Sequence, residues 1–221
     1  MKTIICALLS LVFVFALLQS LEALTYDFEA AEQEEDWEAL RGVWEIIDGE
    51  FRETGDADAP LVAAVGEPDW TDCTISVRAK GLVGDADWGI AFRVQDINNH
   101  YSWQYVNSGL MFVAYVGGSR SEFNLRGQGE ILDEWQDFEV VVEGNTFDLY
   151  WNGDLIDTFE HDALEEGYIG LFGWVNAGTA PPGGGVAFDD FNAEGPGIPT
   201  SFAVKVRGKL TTTWGGIRGK Y

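Results

Sequence analysis

Between residues 43 and 191, hydrophobic and polar positions alternate in short runs, and Gly, Asn and Asp separate the runs. Asp72 to Lys80, DCTISVRAK, shows the pattern most cleanly. Cys73, Ile75, Val77 and Ala79 fall on one side, and Thr74, Ser76 and Arg78 on the other. A period of two with one apolar face predicts a half-buried strand. The same reading predicts strands at Val43 to Ile47, Glu50 to Glu53, Trp88 to Val94, Tyr101 to Val106, Leu110 to Val116 and Glu122 to Leu125. It continues through Phe138 to Glu143, Phe147 to Trp151, Ile156 to Phe159, Tyr168 to Trp174 and Val186 to Phe191. From Trp135 to Glu160, two tight-turn signals, Glu143-Gly144-Asn145-Thr146 and Asn152-Gly153, join three of these runs. Asn-Gly supplies the positive φ angles that a two-residue hairpin requires. Many short strands with no amphipathic helix of ordinary length between them predict an all-β, antiparallel two-sheet sandwich.

The alternation also assigns side chains to faces. In Tyr168 to Trp174, Ile169 and Leu171 suit the inter-sheet core, which leaves Tyr168, Phe172 and Trp174 on the opposite face. In Trp88 to Val94, Ile90, Phe92 and Val94 are expected inside, and Gly89, Ala91 and Arg93 outside. Tyr101, Trp103 and Tyr105 share one face, and Ser102 and Gln104 share the other. Alternation alone leaves open which of these faces is outward. Sugars stack their C–H faces on aromatic rings and hydrogen-bond to planar polar groups. Arg93, Phe172, Trp174, Trp103, Tyr105 and Gln104 are therefore the candidate ligand contacts. Nine tryptophans exceed what a small core needs.

The chain ends add a different chemistry. Lys2 followed by the apolar run Ile4 to Leu18 and by Leu21-Glu22-Ala23 reads as a secretory signal over residues 1–23. Cys6 lies inside that run, so a mature chain keeps only Cys73, and no intramolecular disulfide can form. Cys73 is on the apolar strand face and is expected to be an inert core thiol. The domain is read as residues 24–195. Gly195-Pro196-Gly197-Ile198-Pro199 opens a linker at 196–200, followed by a tail at 201–221. The tail carries five bases and no acid, whereas residues 24–199 hold seven bases against 36 acids, a net of −29. Such a surface repels nucleic acid and anionic membranes. No segment of the mature chain is long and apolar enough to insert in a bilayer. The basic tail suits an address or docking peptide, and weakly resembles short C-terminal attachment tails of bacterial surface proteins.

Six motifs, YDFE, VWEIIDGEF, WGIAFRVQDINNHYSW, WQDFEVVVEGNTFDLYWNGDLI, EEGYIGLFGW and VAFDDF, run in the order seen in concanavalin A-like jelly rolls. Over Thr25 to Glu194 the chain resembles laminin-G-like domains and the 3-keto-disaccharide hydrolase domain. The resemblance implies two curved sheets packed face to face, adjacent first and last strands, and recognition of a glycan or glycoconjugate. It also implies structural Ca²⁺ where those strands meet. The matching positions are Asp27 and Glu29, read as sharing one strand face, and Asp189 and Asp190. Calcium takes six to eight oxygens, so carboxylates on paired strands suit it.

Glycoside hydrolysis needs two carboxylates about 5–9 Å apart. On a jelly-roll strand that means acids at i, i+2 and i+4. Only Glu130-Ile131-Leu132-Asp133-Glu134 comes near, and Asp133 breaks its alternation. A secreted, non-catalytic, lectin-like domain is the reading. A glycan-cleaving enzyme and a protein-binding adhesion domain are the alternatives.

Overall fold

A computed structural model describes residues 23–55, 59–106, 109–176, 178 and 181–202. Residues 1–22 of the segment read as a signal, and the basic tail after residue 202, lie outside the described residues. Fifteen strands form two antiparallel sheets. They are β1 (Leu24–Tyr26), β2 (Glu38–Arg41), β3 (Trp44–Ile47), β4 (Glu50–Glu53), β5 (Leu61–Val65), β6 (Cys73–Gly81), β7 (Asp87–Asp96) and β8 (Asn99–Val106). The rest are β9 (Gly109–Val116), β10 (Ser119–Gly127), β11 (Gln136–Glu143), β12 (Thr146–Trp151), β13 (Asp154–Glu160), β14 (Tyr168–Trp174) and β15 (Val186–Glu194). The first sheet runs β13-β12-β11-β6-β15-β4-β3, with β1 on β15, and the second runs β10-β9-β8-β7-β14-β5-β2. This is the concanavalin A-like sandwich that the motifs suggested.

The first and last strands do meet. β15 kinks between Asp189 and Asn192, with Asp190 at φ 49°. Before the kink, Val186 to Phe188 pair with β4. After it, Phe191 to Ala193 pair with β1. One edge of a single strand thus serves two partners in turn, and the bulge re-aims it between them. The acidic segment Ala30 to Leu40 contains a 3₁₀ helix at Ala31–Asp36 and then enters β2.

Aromatic rings fill the space between the sheets. Phe51 is fully buried and lies 5.1 Å from Phe28, 5.3 Å from Trp37 and 5.4 Å from Trp44. At the other end Trp88, Trp103, Phe138 and Trp151 pack edge to face or tilted. Offset and edge-to-face rings add to the free energy of burying their area. Cys73 is buried as expected, and burial pushes its thiol up to about 12. It is therefore protonated and unreactive near neutral pH.

Phe51→Ala should lose about 3–5 kcal/mol of unfolding free energy in urea titration, because the rings of Phe28, Trp37 and Trp44 lose their partner at once. A loss below about 1 kcal/mol would show that this cluster collapses freely and does not set the packing.

Candidate functional site

The second sheet buries both faces. Its inner face carries Trp88, Ile90, Phe92, Tyr101, Trp103, Tyr105, Phe112, Ile169 and Leu171. Its outer face carries a second buried cluster, Val62, Ala64, Ala91, Val94, Val113, Tyr115 and Phe172, with Leu40, Ile97, Met111, Tyr168 and Trp174 packed on it. Between these apolar groups β8 contributes a row of polar side chains, His100, Ser102 and Gln104, each 0% exposed. Arg120 on β10 reaches Trp174 on β14 across the three strands between them, so the sheet curls around this row as a trough. Gly89 and Gly170 lie at its floor, where an added Cβ would meet the carbonyl oxygens of Trp103 and Ala63 at 2.1 and 2.2 Å. Glycine in a strand permits such a bend because no side chain holds the neighbouring backbone away.

The trough holds unused hydrogen-bonding capacity. Gln104 Nε2 donates to Ser102 Oγ at 2.8 Å, but its Oε1 has no partner. Neither ring nitrogen of His100 meets full hydrogen-bonding geometry, although one lies near the Asp96 backbone, and the ring stacks on Tyr115 at 4.4 Å and lies 6.2 Å from Phe172. The Tyr115 hydroxyl faces Arg120 without reaching hydrogen-bonding geometry, and burial pushes it up to about 12. Asp87 stands at one end, in register with Trp174. Arg120, ion-paired to Glu122, places its guanidinium 5.5 Å from the Trp174 ring centroid. Buried polar groups without partners are rare and costly, so three on one face mark a site with a use.

The expected contacts divide. Phe172 and Trp174 lie on the outer face, as alternation indicated, and Gln104 joins them there. Trp103 and Tyr105 point the other way. Trp103 is fully buried between the sheets with Nε1 donating to Tyr150 O at 2.8 Å. Tyr105 donates its hydroxyl proton to Gly129 O and accepts from Ile131 N. Arg93 is not on the outer face. It sits at φ 51° in a bulge of β7, which breaks the alternation. Its side chain is 3% exposed, donates to Gly144 O at 2.8 Å and approaches Asp72 at 3.9 Å. The same bulge moves Val94 from its expected place in the core to the outer face. His100, Ser102, Tyr115 and Arg120 were not among the sequence candidates.

The four acids at the strand junction also divide. β1 ends at Tyr26, and Phe28 has φ 49°, so Asp27 and Glu29 do not share a strand face. Asp27 and Asp190 line a polar recess of about 140 Å³ with Thr25, Gln33 and Asn192. Gln33 donates to Asp27 Oδ1 at 2.9 Å, while its own Oε1 is buried and unpartnered. Glu29 lies against Gly49, and Arg78 donates to Asp190 at 3.0 Å and approaches Asp189 at 3.9 Å. Among the described residues no three acidic, His or Cys side chains converge on one point.

No protein-family model matches the chain. An extracellular exo-α-L-arabinofuranosidase of Streptomyces chartreusis is 26% identical over 128 residues, or 57% of this chain and 16% of that protein. The chain therefore spans about a sixth of that relative's length. Among solved structures, the carbohydrate-binding module CBM66 from Bacillus subtilis superposes with a TM-score of 0.63 at 17% identity, covering 72% of this chain and 96% of that one. A xylan β-1,4-xylosidase of Bacillus halodurans gives 0.59 at 13% identity, covering 77% of this chain and 39% of that one. A lichenase from a mouse hindgut metagenome gives 0.57 at 13% identity, covering 79% of this chain and 99% of that one. These likenesses establish the sandwich.

Burial pulls His100 down to about 4 from an ordinary 6.5, with Asp96 opposing the shift and Arg41 adding to it. The unfolded chain therefore binds the extra proton first as pH falls. The stability that neutral His100 contributes is complete above about pH 6.5 and fades between 6.5 and 4, by roughly 3 kcal/mol in all. His100→Gln should flatten the decline in Tm across that interval relative to wild type. Parallel pH profiles for the two proteins would refute a neutral buried imidazole.

Proposed function

We propose that the chain is a secreted, non-catalytic carbohydrate-binding domain whose ligand occupies the outer trough of the second sheet. One observation carries the reading. His100, Gln104 and Tyr115 present unpartnered polar atoms between Phe172, Trp174 and Met111. A pocket that combines flat apolar surface with a few convergent donors and acceptors suits a polyhydroxylated ring better than a hydrocarbon. The relatives support the same direction, since one is a carbohydrate-binding module and others act on arabinofuranosides or xylan by name. Secretion has support from the leader-like start of the sequence and from a relative described as extracellular.

Binding is favoured over hydrolysis by what lines the trough. Acid pairs at i, i+2 and i+4 are absent from its described strands. β8 offers His100, Ser102 and Gln104 there, and β7 offers Asp87, Gly89 and Ala91. A general acid and its partner need two carboxylates about 5–9 Å apart, whereas the carboxylates of this face, Asp87 on β7 and Glu122 on β10 among them, stand on separate strands with Glu122 ion-paired to Arg120.

Affinity electrophoresis through arabinoxylan, xylan and mixed-linkage β-glucan tests the reading. Wild type should be retarded by at least one polysaccharide without release of reducing sugar. Gln104→Ala should weaken that retention about tenfold, the effect of losing one well-placed hydrogen bond. Release of reducing ends would make the domain an enzyme, and free migration in all three gels would remove the glycan reading.

Calcium belongs to the proposal in a narrower form than the sequence suggested. Asp27, Asp190 and the orphan Gln33 oxygen supply part of an oxygen shell, which backbone carbonyls and water would have to complete. A bound ion there would tie the first strand to the last. Added Ca²⁺ should raise Tm for wild type and leave Asp27→Asn unmoved. A Tm indifferent to both Ca²⁺ and EGTA would end the claim.

A further inference from the structure

Arg120 and Trp174 belong to β10 and β14, and β9, β8 and β7 lie between those strands. Their side chains nevertheless touch, with the guanidinium 5.5 Å from the indole centroid. At about 4.8 Å per strand, a flat sheet would hold the two backbones roughly 19 Å apart. The contact exists only because the sheet curls, so it spans the trough from one wall to the other. On the same face, His100, Ser102 and Gln104 are 0% exposed although β8 is a central strand and, among the described residues, no third layer of secondary structure lies above it. The Arg120 side chain keeps 29% of its surface in solvent, and Glu122 holds its outer edge.

A guanidinium lying on an indole uses the flat electron-rich surface that the C–H face of a sugar would use. We propose that the Arg120–Trp174 contact is a clasp. It occupies the stacking surface of Trp174 and closes the trough of the ligand-free protein, and a glycan enters by taking the place of Arg120. The inference rests on the glycan reading of the trough and adds an order of events to it. Trp174 is a ligand contact, Arg120 is its competitor, and His100, Gln104 and Tyr115 become available only when the clasp opens. The exchange is feasible because a cation–π contact at a partly exposed site is weak, and Arg120 keeps Glu122 as a partner after release.

Two measurements test this. The first needs no ligand. The chain has two histidines, so acylation by diethylpyrocarbonate can be followed at each by peptide mass spectrometry. In Arg120→Ala, His100 should be modified about fivefold faster than in wild type, the population change expected from losing one such contact. His161, hydrogen-bonded to the Tyr101 hydroxyl, should keep its rate and so report that the fold is intact. Arg120→Lys, which keeps the charge and loses the planar stack, should fall between the two. An unchanged His100 rate in Arg120→Ala overturns the clasp, whatever any glycan does.

The second measurement is electrophoresis through arabinoxylan. Arg120→Ala should be retarded more than wild type, and Trp174→Ala less. Weaker retardation of Arg120→Ala would make Arg120 a ligand contact and overturn its role as competitor. If His100 becomes reactive while neither protein is retarded in any polysaccharide, the clasp stands and the glycan reading falls.

Discussion

A sheet with two apolar faces needs two covers. Antiparallel sandwiches normally leave the outer face to water and show it as polar positions along each strand. The second sheet here does not. β5 is buried at all five positions, and the middle of β7, β8, β9 and β14 is buried on both sides. The first sheet covers one face, and the second sheet covers the other by bending over itself. Gly89 and Gly170 make the bend possible, since any larger residue would push against the next strand's carbonyl. The same bend encloses His100, Ser102 and Gln104 and brings Arg120 to Trp174. The polar interior and its closure are thus two consequences of one curvature.

Kinks at non-glycine residues with positive φ organise the rest. Such residues are uncommon and cost conformational energy, so the surroundings must hold them. At Arg93 the kink turns a cation inward, where Gly144 O accepts from Nη2 and Asp72 offsets part of the charge, while Nε is left without a partner. At Asp190 the kink lets β15 leave β4 and take up β1. At Phe28 it turns the chain after β1 and buries the ring against Phe51. Each kink breaks a pattern that would have continued, at Asp190 into a change of partner strand and at Arg93 into a change of face.

These features explain what was legible in the sequence. Regular alternation located β6, β11 and β12, because their two faces meet different environments. Leu61–Val65 escaped notice for the opposite reason. LVAAV is apolar on both faces, so it shows no period. Period two separates Tyr101, Trp103 and Tyr105 from Ser102 and Gln104, but it cannot say which set meets the other sheet. Here the aromatics fill the inter-sheet space, and the polar set is the functional candidate. The clue was the row His100, Ser102, Gln104 on a strand otherwise made for a core. Arg93 misled because a bulge has no mark in the residue types around it. The Arg120–Trp174 contact was out of reach, since it depends on curvature accumulated over five strands.

The pairing of β1 with β15 has a consequence for how such a domain travels between proteins. Leu24 lies opposite Ala193, so the chain enters and leaves the sandwich at neighbouring points of one sheet. A unit whose two ends emerge side by side can be placed within a longer chain much as a loop is, with little disturbance to what flanks it. Such a placement would leave the trough, walled by strands that belong wholly to the domain, as it is.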